Sequence, residues 1–136
     1  MGREGSYMIK LTINQMTNIF QTLAVLMNQN FSGATAFKIA RIAREIGKEM
    51  ETFEKERAKI VEKYGERDEN GQIHADENGN VKIMPSAVTD CNNEFNELLN
   101  QEVEINAEML PEEILEQMLN VTPTQMLALE PIIRFE

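Results

Sequence analysis

Residues 34–64 constrain this chain more than any other stretch. Apolar side chains recur there at Ile39, Ile42, Ile46, Met50, Phe53, Ile60 and Tyr64, in steps of three and four, with Arg57 filling the one gap. That spacing places them along one stripe of a long helix. Lys38, Arg41, Lys48, Lys55, Lys59 and Lys63 form a second, basic stripe beside it. The apolar stripe needs a hydrophobic partner; the basic one faces water or an anion.

The segments on either side can supply that partner. Upstream, Met16, Ile19, Phe20, Leu23, Leu26 and Met27 share one face of a predicted helix that runs to about Gln29. Thr12 and Gln15 have the spacing of a capping box, in which side chain and backbone satisfy each other's free N–H groups. Phe31-Ser32-Gly33 breaks the pattern, and Ser32 can cap the central helix. A short break between two amphipathic helices predicts a long antiparallel helical hairpin.

Downstream, Gly65 ends the central helix. An eight-residue near-repeat follows, Asp68-Glu69-Asn70-Gly71 and Asp76-Glu77-Asn78-Gly79. Asn-Gly suits a tight turn, so residues 72–84 read as a β-hairpin flanked by Ile73, Val81 and Ile83. Pro85-Ser86 opens a third helix over 86–101 with Val88, Cys91, Phe95 and Leu98 on its apolar side. A short helix begins near Pro111 and carries Ile114, Leu115, Met118 and Leu119. Another begins at Thr122-Pro123-Thr124-Gln125, where a cap, a first-turn proline and a third-position Gln coincide.

Alternation of apolar and polar residues marks strands at 8–13, 102–106 and 132–135, expected to form one small three-stranded sheet. The fold class is therefore α+β and helix-dominated: a helical hairpin, shorter helices, this sheet and the β-hairpin. Residues 8–136 are expected as a single domain, with 1–7 a disordered or tag-like lead.

Charge is unevenly placed. Residues 1–64 hold ten Lys and Arg against seven Asp and Glu, whereas residues 65–136 hold three against sixteen. The whole chain carries −10. Such a field repels nucleic acid at long range, and the basic stripe lacks interleaved aromatics, so direct nucleic-acid binding is not expected. The surplus acid faces solvent or a basic partner. No apolar run approaches the length of a membrane span, and no secretory signal is visible. One cysteine, Cys91, excludes an internal disulfide framework and reads as a small buried hydrophobe in a reducing cytoplasm.

The sharpest chemical motif is a calcium-loop spacing. Starting from Glu66, ligand-type residues fall at Asp68, Asn70 and Glu77, with Gly71 at the turn and Ile73 beyond it. The first position is Glu rather than Asp, and Asn78-Gly79 stands where the exiting helix should run, so the turn reading is preferred. His74 is the single histidine, which leaves no zinc set and no nucleophilic triad. Glu112, Glu113 and Glu116 lie on a polar face, the ordinary place for solvated acids. Nine methionines, several at core-type positions, fill a core or an adaptable groove. No metal, no cofactor and no catalytic set is expected.

Phe95-Asn-Glu-Leu-Leu99, Glu102-Val-Glu-Ile105, Ile114 to Leu119, Val121-Thr122-Pro123-Thr124-Gln125 and Leu127-Ala-Leu-Glu-Pro131 follow one another in order. With the upstream strand, helical hairpin and Asp-Glu-Asn-Gly segment, this order resembles a family of small, uncharacterised proteins of tailed bacteriophages and prophages. The likeness is loose over 8–136 and best over 95–131. It implies a bacterial cytoplasmic or virion-associated, non-enzymatic protein. The partner would be a phage structural protein, a host protein or a second copy of the chain. The candidate contact residues are Lys38, Arg41 and Lys48 on the basic stripe and Glu112, Glu113 and Glu116 on the acidic face. The alternative function is an acidic mimic of DNA that inhibits a host nucleic-acid-binding or defence protein.

Overall fold

A computed structural model describes residues 8–135. The lead expected over 1–7 lies outside the described residues. The elements run β1 (Met8–Thr12), α1 (Ile13–Leu26), α2 (Gly33–Tyr64), α3 (Val88–Leu99), β2 (Glu102–Asn106), β3 (Leu110–Pro111), α4 (Pro123–Ala128) and β4 (Ile133–Arg134). The fold is helix-dominated α+β, built on one long helix, shorter helices and small sheets. Two compact units share the chain: residues up to Met50 with those from Gln101 onward, and Glu51–Asn100.

In the first unit, β1 pairs with β2 antiparallel, Ile9 opposite Ile105 and Leu11 opposite Val103. Ile9, Leu11 and Ile105 are buried, as the alternation requires. Thr12 turns the chain directly into α1. Its hydroxyl accepts from the Gln15 N–H at 3.0 Å and its own N–H donates to Gln15 Oε1 at 2.9 Å, completing the predicted capping box. The buried side of α1 is Ile13, Met16, Ile19, Thr22, Leu23 and Leu26. It is rotated from the expected face. Phe20 and Met27 are exposed, and Thr22 takes the place given to Phe20.

After the connection 27–32, Ile39, Ile42 and Ile46 of α2 are buried as the stripe demands. The second predicted box also forms, with Thr122 and Gln125 capping α4 behind Pro123. Leu110, Ile114, Leu129, Ile132 and Ile133 complete this core.

Two expectations for this unit are corrected. The single three-stranded sheet is two separate two-stranded ladders, because β4 pairs in parallel with β3 and not with β1 or β2. β3 is two residues long, and Pro111 has no N–H to extend the ladder. The helix expected after Pro111 is a 3₁₀ segment, Glu112–Gln117. So short a segment gains little from α-helical bonding, and Gln29 fastens its end from outside: the Gln29 amide donates to Gln117 O and accepts from Leu119 N–H at 2.9 Å.

The second unit takes the rest of α2. Phe53 is buried and meets Phe95 of α3 edge to face, ring centroids 6.4 Å apart. Ala87, Cys91 and Leu98 are buried. The third helix is entered through a 3₁₀ turn at Pro85–Ala87, and Val88, expected on its apolar stripe, is exposed. The expected hairpin is present as the Ala75–Val81 bridge, but it is one corner of three. Arg67 also bridges Ile73, and Ile83 bridges Gly65, all antiparallel. Residues 65–67, 73–75 and 81–83, each one repeat apart, therefore close into a triangle.

Both turned corners have the same construction. Gly71 N–H donates to Asp68 O at 3.0 Å and Gly79 N–H to Asp76 O at 2.9 Å. The Asp68 carboxylate accepts from Asn70 and Gln72 N–H at 2.8 and 3.0 Å, and that of Asp76 from Asn78 and Asn80 at 2.8 and 2.9 Å. Only the glycines take positive φ, 77° and 79°. Each corner is thus a three-residue loop with a left-handed glycine, where a two-residue loop would also force Asn to positive φ.

Candidate functional site

The structure sorts the six candidate contact residues into three places. Lys38 and Arg41 come together. They line a depression of about 330 Å³ with Ala34, Phe37 and Glu108. Lys38 Nζ lies 3.4 Å from a Glu108 carboxylate oxygen, and Arg41 Nε donates to Asn106 O at 3.2 Å. The β2 end and the residues after it therefore set both cations in position.

Lys48 does not belong to this group. It stands ten residues along α2 from Lys38, roughly 15 Å by helical rise. Its ammonium contacts Glu45 at 3.1 Å. That bond, with nearby Arg44, holds the Glu45 carboxyl below its ordinary value. Glu112, Glu113 and Glu116 do converge, lining one shallow concavity with Leu115 on the 3₁₀ segment.

Phe37 is the residue that the sequence reasoning missed. It is 67% exposed, although large and aromatic. Its signal was its phase: two residues before Ile39, it falls off the buried stripe. A ring in that position has no core to enter, and here it forms the apolar wall of the Lys38–Arg41 depression. A second exposed apolar residue, Leu119, lines a separate concavity with Val25, Asn28, Gln29, Asn30 and Asn120. Asn120 has a φ of 61°, a conformation that Asn tolerates better than most side chains.

In the second unit, Glu66, Arg67, Asp68, His74 and Lys82 gather at the triangle. His74 bonds Asp68, and Lys82 lies 3.7 Å from Glu66. The Gln72 N–H, then His74, hold the Asp68 carboxyl below its usual value. Its oxygens are thus engaged by the turn itself, which accounts for the calcium-like spacing without an ion. Among the described residues, no three His, Cys, Asp or Glu converge as a metal-ligand set. Elsewhere in this unit, Glu94 accepts from Tyr64 Oη and from Lys63 Nζ, which lowers the Glu94 pKa and raises those of Tyr64 and Lys63.

Among the described residues, no helix is long and apolar enough to cross a membrane. No protein-family model, no curated protein and no solved structure matches the chain.

Proposed function

We propose that this is a non-enzymatic accessory protein of a tailed bacteriophage or prophage. It binds another protein through the depression at the start of α2, in particle assembly. The observation that supports the reading is Phe37: an exposed aromatic ring held beside two cations, Lys38 and Arg41, by a rigid helix. Aromatic and arginine side chains in one concavity are the residue types that dominate binding energy at protein interfaces. The matching partner surface is an apolar side chain flanked by a carboxylate. Support for the phage setting is the resemblance of residues 95–131, and it carries with it the bacterial cytoplasm or the virion as the place of action.

The test is affinity capture from phage-infected cells with three baits: the wild-type chain, Phe37→Ser and Arg41→Ala. Recovery of capsid, connector or tail proteins by the wild-type bait, reduced with both variants, supports the proposal. Equal recovery by all three removes this surface from the interaction.

A second reading has its own observation, the convergence of Glu112, Glu113 and Glu116 on one concavity. As a mimic of a phosphate backbone, that face would occupy a basic host protein, with affinity falling steeply as salt rises. Reversing Glu113 and Glu116 to Lys abolishes such an inhibition and leaves capture through Phe37 intact.

A further inference from the structure

Each of the two turned corners of the triangle places Asn directly before Gly. In a flexible chain this pair is prone to imide formation, because glycine has no Cβ to hinder the approach of its nitrogen. The Gly nitrogen loses its proton to solvent and attacks Asn Cγ. The Cγ–Nδ2 bond breaks, ammonia leaves with a solvent proton, and a five-membered imide remains. Water then opens one of the two imide carbonyls, giving aspartate or isoaspartate. One ammonia is lost, one water is gained, and a new carboxylate appears.

The reaction needs a free Gly N–H and an Asn backbone able to rotate toward it. The native corners supply neither. Gly71 and Gly79 N–H groups are bonded to Asp68 O and Asp76 O. The residues on both sides of each glycine are tied by their own N–H groups to one carboxylate oxygen. Both asparagines are nevertheless exposed to solvent.

The two corners differ in their outside fastenings, since His74 bonds the Asp68 carboxylate of the first and Arg67 reaches its glycine. Arg67 Nη1 donates to Gly71 O at 2.9 Å and Nη2 to Glu62 O at 3.1 Å, which fastens the first corner to the end of α2. One repeat later, the position of Arg67 is Ala75, whose methyl group can make no such bond. We infer that Asn70 and Asn78 are latent modification sites, held shut by the native corners and opened by local unfolding of residues 65–84, Asn78 before Asn70.

The test follows deamidation of the full chain at mildly alkaline pH, with and without urea. Peptide mapping and isoaspartate labelling read each site. In the folded chain both sites react slowly, Asn78 roughly three- to tenfold ahead of Asn70, the scale of one or two lost hydrogen bonds. In urea both accelerate and the gap closes. Asp76→Ala speeds Asn78 alone, whereas Asp76→Asn, which keeps an acceptor oxygen, stays near wild type. Equal rates in folded and denatured chain overturn the inference. So does Asn70 reacting first, or an Asp76→Asn variant that speeds both sites together.

Discussion

Asp68 and Asp76, one repeat apart, hold their turns by the same set of hydrogen bonds. Each carboxylate accepts two backbone N–H groups, and each backbone carbonyl accepts from a left-handed glycine. The repeat in the sequence is therefore a repeat in space, and the bridge from Gly65 to Ile83 at the end of α2 closes the third side.

Acid should loosen the first of these corners. The Asp68 carboxyl is depressed by the Gln72 N–H and by His74. A depressed carboxyl stabilises the fold above its unfolded-state value, and that contribution is lost as pH falls through the folded value. The Asp68 contribution is therefore present in full down to roughly pH 4, the ordinary Asp value, and is lost below it. Amide exchange of Asn70 and Gln72 against pH reads the transition. Unchanged protection well below that point would separate the turn from the Asp68 charge.

Gly65 is fixed by space. An added Cβ would lie 2.8 Å from Val61 O, 3.0 Å from Val81 Cγ1 and 3.1 Å from Ile73 Cδ1. The backbone oxygen cannot withdraw, since it accepts the Gly65 N–H at 2.7 Å. Gly65→Ala should cost about 1–3 kcal/mol, the usual range for forced overpacking. Urea unfolding followed by circular dichroism measures it. A neutral result would mean that the triangle adjusts freely around this point.

The two capping boxes should have measurable and local effects. Thr12→Ala and Thr122→Ala each remove a side-chain acceptor from an N-terminal N–H and should cost about 1 kcal/mol. Thr12→Ser should recover most of the loss. Thermal melts of the two alanine variants check this, and an unshifted midpoint for either would show that its helix start is held by packing alone.

Phe37 and Leu23 should behave oppositely. Leu23 is fully buried in α1, so Leu23→Ala should cost about 2–5 kcal/mol. Phe37→Ser removes a larger apolar group from the surface and should shift stability by less than about 0.5 kcal/mol. A strongly destabilised Phe37→Ser variant would reveal a structural role for the ring. Denaturant titration of both variants makes the comparison before any partner is known.

Elements that rest on local rules were legible. The α2 stripe, both capping boxes, the β1 and β2 alternation and the Asn-Gly turns are each decided within a few residues. Cys91 likewise sits where its helical phase puts it, buried in α3. The errors lie where a choice was made at long range. The third strand expected to join β1 and β2 pairs instead with Leu110–Pro111, too short a segment to carry any alternation of its own. The candidate site was half legible: Lys38 and Arg41 follow from the basic stripe, but Lys48 is spaced too far along the same helix to join them.

By itself the sequence determined the long helix, the capped starts of α1 and α4, and the Asn-Gly turn of the hairpin over 72–84. Those outcomes depend on hydrogen bonds and side-chain periodicity between near neighbours. Only the tertiary structure decided that Ile83 returns to Gly65 to close a triangle. It also decided that Thr22 rather than Phe20 is buried, and that Glu108 and Asn106 meet Lys38 and Arg41 beside an exposed Phe37. Each of these joins residues distant in the chain or settles which of several similar faces wins the core, and neither is written in any local pattern.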